Sequence, residues 1–224
     1  MSLFFRCFFL AVFAAGAAVH LVSCWRGKPN SAYTKPLLVS SLTLYCLFVV
    51  PRPWMLIAAL FFSWLGDVLL MPKGNKWFIS GGVAFLISHV LFLFVYLPHI
   101  SAGGVLWYAV IPAACVYLTA SAAVIVSIRK NAPKPMLVPL FLYLAANSVM
   151  NLFALSMLTC SPCAGAALAY AGAVLFYLSD SILFLSRYHE KAERIPKRGF
   201  LIMLTYIAGE ALIAFGILLM RAAG

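Results

Sequence analysis

Acidic residues are scarce in this sequence. Only five Asp and Glu accompany sixteen Lys and Arg in 224 residues, and charged residues make up 9% of the chain. A soluble domain is about one quarter charged and about half apolar, whereas 65% of this chain is hydrophobic. Such a composition leaves too few polar side chains to cover a globular surface in water. It excludes a soluble enzyme, a disordered protein and a secreted disulfide scaffold.

The positive charge does not indicate a nucleic-acid partner. The formal net charge is +11, but Lys and Arg in a membrane protein first record which connections face the cytoplasm. We therefore expect no nucleic-acid partner, and we use the basic residues to predict membrane topology.

Apolar runs predict an all-α bundle of eight transmembrane helices. A spanning helix needs roughly 20 mostly apolar residues, and turn signals such as Lys28-Pro29-Asn30 and Pro51-Arg52-Pro53 separate the runs. The predicted spans are 3–24, 34–50, 54–71, 78–97, 104–128, 136–158, 165–187 and 200–221. The second span is short, so seven helices are the alternative. No connection is long enough for a soluble domain, and residues 1–224 are predicted to form one integral membrane domain.

The basic residues lie mostly in alternate connections. Thirteen occur in the odd-numbered connections: Arg26, Lys28, Lys35, Lys73, Lys76, Arg129, Lys130, Lys134, Arg187, Lys191, Arg194, Lys197 and Arg198. Only Arg6, Arg52 and Arg221 fall on the opposite side. The positive-inside rule then places both termini on the non-cytoplasmic side. The alternative is a cleaved signal peptide at 3–24, which would leave seven helices in the inverted orientation.

Two cysteines form a CxxC motif, Cys160 and Cys163, in the connection between the sixth and seventh predicted helices. The predicted topology places this connection outside, where a disulfide can persist. A loop disulfide and two idle thiols both fit the motif. A metal site would need further ligands nearby, and we predict neither a metal nor another cofactor.

Three of the five acids lie inside the predicted spans: Asp67, Asp180 and Glu210. His89 lies in the middle of the fourth span. An ionisable group near the bilayer centre costs a few kcal/mol, which makes it a candidate for a functional site. Plain hydrogen bonding between helices is the structural alternative for each residue.

The depths of these groups favour one cavity. At the rise of a helix, Asp67, Asp180 and Tyr143 lie ~6–10 Å from the predicted cytoplasmic ends of their helices. Glu210 and His89 lie deeper, at ~15 Å. We therefore expect a polar cavity that opens toward the cytoplasmic leaflet.

Further polar residues follow these acids at helical spacing. Ser63 and Asp67 are one turn apart, as are Tyr206 and Glu210, while Ser179 flanks Asp180. The sixth span carries a polar stripe of Tyr143, Asn147 and Asn151, and Lys35 lies at the cytoplasmic mouth of the second span. For Ser63, Asn151 and the glycines of these spans, packing or hydrogen bonding between helices is the favoured interpretation.

The chemistry indicated by these residues is acid–base catalysis by carboxyl groups. The sequence has no nucleophile elbow, no phosphate-binding glycine loop and no HExxH motif. In a dry cavity one carboxyl group can stay protonated near neutrality while another ionises. Such a pair provides a general acid and a general base from one residue type.

Several motifs occur in a fixed order along the chain: Gly66-Asp67, the FxxxH from Phe85 to His89, and Ser179-Asp180. Together with Lys35-Pro36-Leu37, Tyr143 and Tyr206, they resemble the YhhN-like lysoplasmalogenase family over nearly the whole chain. Glu210 departs from the pattern, because the family is expected to carry Gln there. Asn147 is also more polar than the residue expected at its position.

The resemblance implies an eight-helix enzyme that hydrolyses the vinyl-ether bond of lysoplasmalogens without a metal. Asp67 and Asp180 would be catalytic, and would act as proton donor and carboxylate much as in glycosidases. Lys35 would attract the phosphate of the lysophospholipid, and His89 and Tyr143 would orient water or tune the acid. The supporting set also includes Ser63, Asn147, Ser179, Tyr206 and Glu210.

Other classes of membrane protein fit the same buried acids. A small proton-coupled transporter or a lipid-binding protein would use them as a proton relay or a binding site, and a packing subunit would use them only to bond helices. The expected surroundings are membrane lipids, with a bacterial inner membrane favoured over the endoplasmic reticulum. The oligomeric state is left open.

Overall fold

The computed structural model describes residues 2–27 and 31–223, and over these residues it is helical and contains no strand. The turn predicted at Lys28-Pro29-Asn30 lies outside the described residues. The α-helices are α1 (Ser2–Trp25), α2 (Ser31–Leu47), α3 (Trp54–Leu69), α4 (Asn75–Tyr96), α5 (Trp107–Ile128), α6 (Lys134–Cys160), α7 (Ala164–Tyr188) and α8 (Arg198–Ala223). Short 3₁₀ turns occupy Leu97–His99, Ala102–Gly104 and Ala192–Arg194.

Six of these helices are long and apolar enough to cross a membrane, namely α1 and α4 to α8. The chain is therefore a multi-pass helical membrane protein. Helices α2 and α3 have only 17 and 16 residues, which gives lengths of about 24–26 Å against a hydrocarbon core of about 30 Å. The count of eight spans and the position of both termini outside stay predictions.

Helix boundaries lie close to the predicted turn signals. Helix α2 ends at Leu47, three residues before the predicted end, and the N–H groups of Phe48 and Val49 bond back to carbonyls three residues earlier. The physical reason is Pro51, whose ring disfavours the α conformation at Val50. Helix α5 likewise begins three residues later than predicted, at 107 rather than 104, because a separate 3₁₀ turn precedes it.

The helices divide into two compact units, an N-terminal unit of residues 1–95 and a C-terminal unit of residues 96–224. In the N-terminal unit α2 packs against both α1 and α3, and in the C-terminal unit α7 packs against α5, α6 and α8. That residues 1–224 form one integral membrane domain stays a prediction. Asp67 lies on α3 and Asp180 on α7, so each unit contains one of the two acids.

Glycine lets α7 and α8 approach closely in the C-terminal unit. A Cβ atom added at Gly172 would lie 2.6 Å from the carbonyl oxygen of Gly209, and one at Gly165 would lie 2.6 Å from that of Gly216. Because the pairs are seven residues apart on each helix, they lie two turns apart along one antiparallel contact. Small residues of this kind bring membrane helices into backbone contact. This contact fixes α7, which carries Asp180.

Candidate active site

The first candidate centre, the Asp67 centre, consists of Asp67 on α3 and Lys35 on α2. Nζ of Lys35 lies 3.1 Å from Oδ1 of Asp67, and the two side chains are 16% and 2% exposed. The unit around this pair is apolar, so the ammonium of Lys35 balances the charge of the buried Asp67 carboxylate. The sequence predicted both residues, but it assigned Lys35 to the substrate phosphate and not to Asp67.

The indole of Trp64 holds α3 against the beginning of α2. Its Nε1 donates a hydrogen bond of 3.0 Å to the carbonyl oxygen of Pro36, the residue that follows Lys35. Trp64 lies one turn before Asp67 on α3, so both side chains share a helical face. The bond therefore fixes the two helices beside the ion pair.

His20 on α1 also lies at this centre, and the sequence analysis did not single it out. It is 1% exposed, and its Nδ1 lies 2.6 Å from Oγ1 of Thr34, the residue before Lys35. A buried His inside an otherwise apolar helix was the available signal.

The hydroxyl of Ser63 bonds to a residue of α4 and not to Asp67, so it joins α3 to α4. Its hydroxyl lies 2.8 Å from that of Ser88, and Ser88 donates to the carbonyl oxygen of Ala59 over 2.8 Å. Since Ser88 has only one hydroxyl hydrogen, Ser63 must be the donor between the two serines. His89, the next residue of α4, is buried at 1% exposure. The interhelical interpretation favoured for Ser63 agrees with these bonds.

Gly66 allows α4 to lie close to α3 next to Asp67. A Cβ atom there would lie 2.5 Å from the ring of Phe85. The Gly66-Asp67 and FxxxH motifs of the sequence therefore meet in the structure, since Phe85 opens the second motif and packs on the glycine of the first.

The second candidate centre, the Asp180 centre, joins α7 to α6. Oδ2 of Asp180 accepts a hydrogen bond of 2.8 Å from the hydroxyl of Tyr143 and one of 2.7 Å from Nδ2 of Asn147. The two donors are one turn apart on α6, as their spacing predicted. The ring of Phe184 packs on that of Tyr143 with centroids 5.3 Å apart, which helps to fix the tyrosine. Asp180 itself is 5% exposed.

Hydrogen bonds continue from this centre across α6 to α5. Nδ2 of Asn151 donates to the backbone oxygen and to Oδ1 of Asn147, each over 3.0 Å, and Tyr117 on α5 donates to Oδ1 of Asn151 over 3.0 Å. The sequence analysis named both asparagines but missed Tyr117. The available signal was the spacing of Tyr117 and Ser121, which are one turn apart in an apolar helix.

Three other predicted residues lie at the contact of α7 with α8. Ser179 donates to the carbonyl oxygen of Ile202 over 3.0 Å, so it binds the helices together although it is next to Asp180 in sequence. Tyr206 packs edge-on against Phe176 with centroids 5.4 Å apart. Glu210 is fully buried and interacts electrostatically with Tyr96.

The structure thus brings Lys35 to Asp67, and Tyr143 and Asn147 to Asp180. The cavity predicted to hold both acids stays a prediction. Within residues 2–27 and 31–223, no three His, Cys, Asp or Glu side chains converge as metal ligands would. The six cysteines are all free thiols, including the half-buried Cys160 and the exposed Cys163.

Six long apolar helices, together with the buried carboxylates of Asp67 and Asp180 and their polar partners, define a multi-pass membrane protein with candidate acid–base centres. A family model described as the YhhN family matches residues 30–217. The chain belongs to this family, which is the family of lysoplasmalogenases. The matched residues include both candidate centres, but not His20, which precedes residue 30. No curated protein and no solved structure matches the chain.

Proposed function

We propose that the chain is a lysoplasmalogenase that hydrolyses the vinyl-ether bond of lysoplasmalogens to a fatty aldehyde and a glycerophospho-headgroup. The observation that carries the proposal is that Asp67 and Asp180 are both buried in apolar helices with polar partners of their own. Membership in the YhhN family supports the reaction type.

The chemistry needs one proton donor and one proton acceptor. A carboxylic acid donates its proton to the β-carbon of the vinyl ether, and the carbon–oxygen unit becomes an oxocarbenium ion. A carboxylate stabilises this cation and takes a proton from water while the water oxygen bonds to the α-carbon. The hemiacetal then breaks at the glycerol oxygen, which receives a proton, and the hemiacetal hydroxyl returns a proton to the first carboxylate. Both acids regain their starting state, and one water is consumed.

We assign these two roles to Asp67 and Asp180. Lys35 supplies positive charge beside Asp67 and is the cation for the lipid phosphate, because its side chain is 16% exposed while that of Asp67 is almost fully covered. Tyr143 and His89 orient water or tune the acid. The remaining supporting residues, Ser63, Asn147, Ser179, Tyr206 and Glu210, hold the helices and side chains in place.

The test measures aldehyde released from lysoplasmenylethanolamine by the purified protein in detergent. Asp67→Asn and Asp180→Asn are expected to lower the rate by about 100-fold or more, as the removal of a general acid or base does. The matched control is Glu190→Gln, which makes the same change from carboxylate to amide at an exposed residue and should keep the wild-type rate. Full activity of either Asp variant removes that residue from the mechanism.

The same assay separates the enzyme from the other classes. A proton-coupled transporter or a lipid-binding protein releases no aldehyde even as wild type, although it still requires its buried acids. A packing subunit releases none and purifies with a stable partner.

A further inference from the structure

The side-chain amide of Asn151 can adopt only one orientation. Its Nδ2 group donates to two oxygen atoms of Asn147, the backbone carbonyl oxygen and Oδ1, both at 3.0 Å. The backbone oxygen is only an acceptor, so the NH₂ group of Asn151 must face it. The flipped amide would place an oxygen against two oxygens in a fully buried site, which leaves buried polar atoms unsatisfied.

The orientation of Asn151 dictates that of Asn147. Because Oδ1 of Asn147 accepts from Asn151, its Nδ2 is left to face Asp180, to which it donates over 2.7 Å. An amide NH₂ group cannot accept a hydrogen bond. The Oδ2 atom of Asp180 is therefore held as an acceptor by this amide and by the hydroxyl of Tyr143.

Tyr117 on α5 extends this series of oriented hydrogen bonds. Since the amide of Asn151 is already oriented, its Oδ1 accepts and the hydroxyl of Tyr117 must donate, over 3.0 Å. Each residue of this series therefore donates to the next one toward Asp180: Tyr117 to Asn151, Asn151 to Asn147, and Asn147 to Asp180.

We propose that Asn151 is a positioning residue, which acts through Asn147 to keep Asp180 in its carboxylate form as the proton acceptor of the reaction. This rests on the proposed function and deepens it, because it assigns one of the two roles, that of the proton acceptor, to Asp180. The carboxylate of Asp180 stabilises the oxocarbenium ion and takes the proton from the attacking water. The proton that reaches the β-carbon comes from another group.

The test is a double-mutant cycle on kcat for aldehyde release. Asn151→Leu removes the amide and frees Asn147 to turn, so kcat is expected to fall about tenfold at unchanged KM, in line with the loss of a buried hydrogen bond. In an Asn147→Ala background the same substitution should change kcat by less than about twofold, because the residue it acts through is gone. An equal loss in both backgrounds would overturn the proposal.

Two further variants keep the test interpretable. Ser148→Ala is the matched control and should keep the wild-type kcat, since the Ser148 hydroxyl bonds to the carbonyl oxygen of Leu144 and to the hydroxyl of Ser121, and to neither Asn147 nor Asp180. If Asn151→Leu does not fold, Asn151→Ser replaces it, because a serine hydroxyl can bond the carbonyl four residues earlier as Ser148 does. It cannot hold Oδ1 of Asn147, so the same loss is expected, and a wild-type kcat would contradict the proposal.

An infrared measurement separates this inference from the proposed function. The difference between wild type and Asp180→Asn isolates the Asp180 carboxyl band, which should be that of a carboxylate in wild type and should gain acid character in Asn151→Leu. A wild-type protein that makes no aldehyde overturns the proposed function, while the band still tests Asn151. An Asp180 band that is unchanged in Asn151→Leu overturns the positioning role.

Discussion

The Lys35–Asp67 ion pair yields a quantitative prediction about the N-terminal unit. At the observed 3.1 Å and an effective dielectric constant of about 20, the attraction between the two charges is about 5 kcal/mol. Most of that attraction offsets the cost of taking both charges out of water. Removal of one partner therefore costs about 3–5 kcal/mol, more than the pair contributes as a whole. Lys35→Met should lower the stability by this amount.

The assay is thermal unfolding of Lys35→Met, Asp67→Asn and the double variant in one detergent. For a chain of this length each kcal/mol shifts Tm by about 2–4 °C, so a loss of about 3–5 kcal/mol in Lys35→Met should lower Tm by about 6–20 °C. The double variant should be more stable than the sum of the single losses predicts, with a coupling of about 2 kcal/mol. Lys191→Met, in the exposed connection between α7 and α8, is the control and should leave Tm within about 1 °C. Strictly additive losses would refute the reasoning, because they would show that the two charges do not stabilise each other.

Further predictions concern the contacts between helices. Gly172→Ala should cost about 1–3 kcal/mol, because its Cβ would lie 2.6 Å from the carbonyl oxygen of Gly209 and α7 would have to move. Gly82→Ala is its control, since a Cβ there meets nothing within 4 Å, and equal losses of Tm in both variants would show that the helix contact is not the cause. Trp64→Phe removes the 3.0 Å hydrogen bond to Pro36 and should cost about 1 kcal/mol in thermal unfolding, whereas an unchanged Tm would mean that this bond does not hold α2 to α3.

The helices could be predicted from sequence because their signal is local. Every predicted span overlaps one helix, and differences at the ends amount to three residues or fewer in the described residues. Apolar length and proline are properties of one segment, so no neighbour is needed to read them. The weak case is α2, where Pro36 lies within the helix and the apolar run is short.

Which side chains share a face of one helix could also be predicted, whereas the alignment of one helix against another could not. The stripe of Tyr143 and Asn147 follows from a spacing of one turn, and both residues do meet Asp180. Lys35 and Asp67 are on different helices, and the spacing of residues in the sequence does not determine how these two helices are aligned. Ser179 shows the converse error, because a residue adjacent to Asp180 in sequence points about 100° away around the helix and bonds to α8.

The two acids differ in what an Asp-to-Asn change does to the fold, and this decides which variant tests the chemistry. At Asp180 the two donors that bond to Oδ2 are neutral, and the amide oxygen of an Asn can accept the same two bonds. At Asp67 the partner is the ammonium of Lys35, and an Asn removes the charge that balances it. Loss of activity in Asp67→Asn therefore mixes instability with chemistry, and it must be compared with the double variant that also changes Lys35. Asp180→Asn should keep its Tm, so its loss of aldehyde release reports on proton transfer alone.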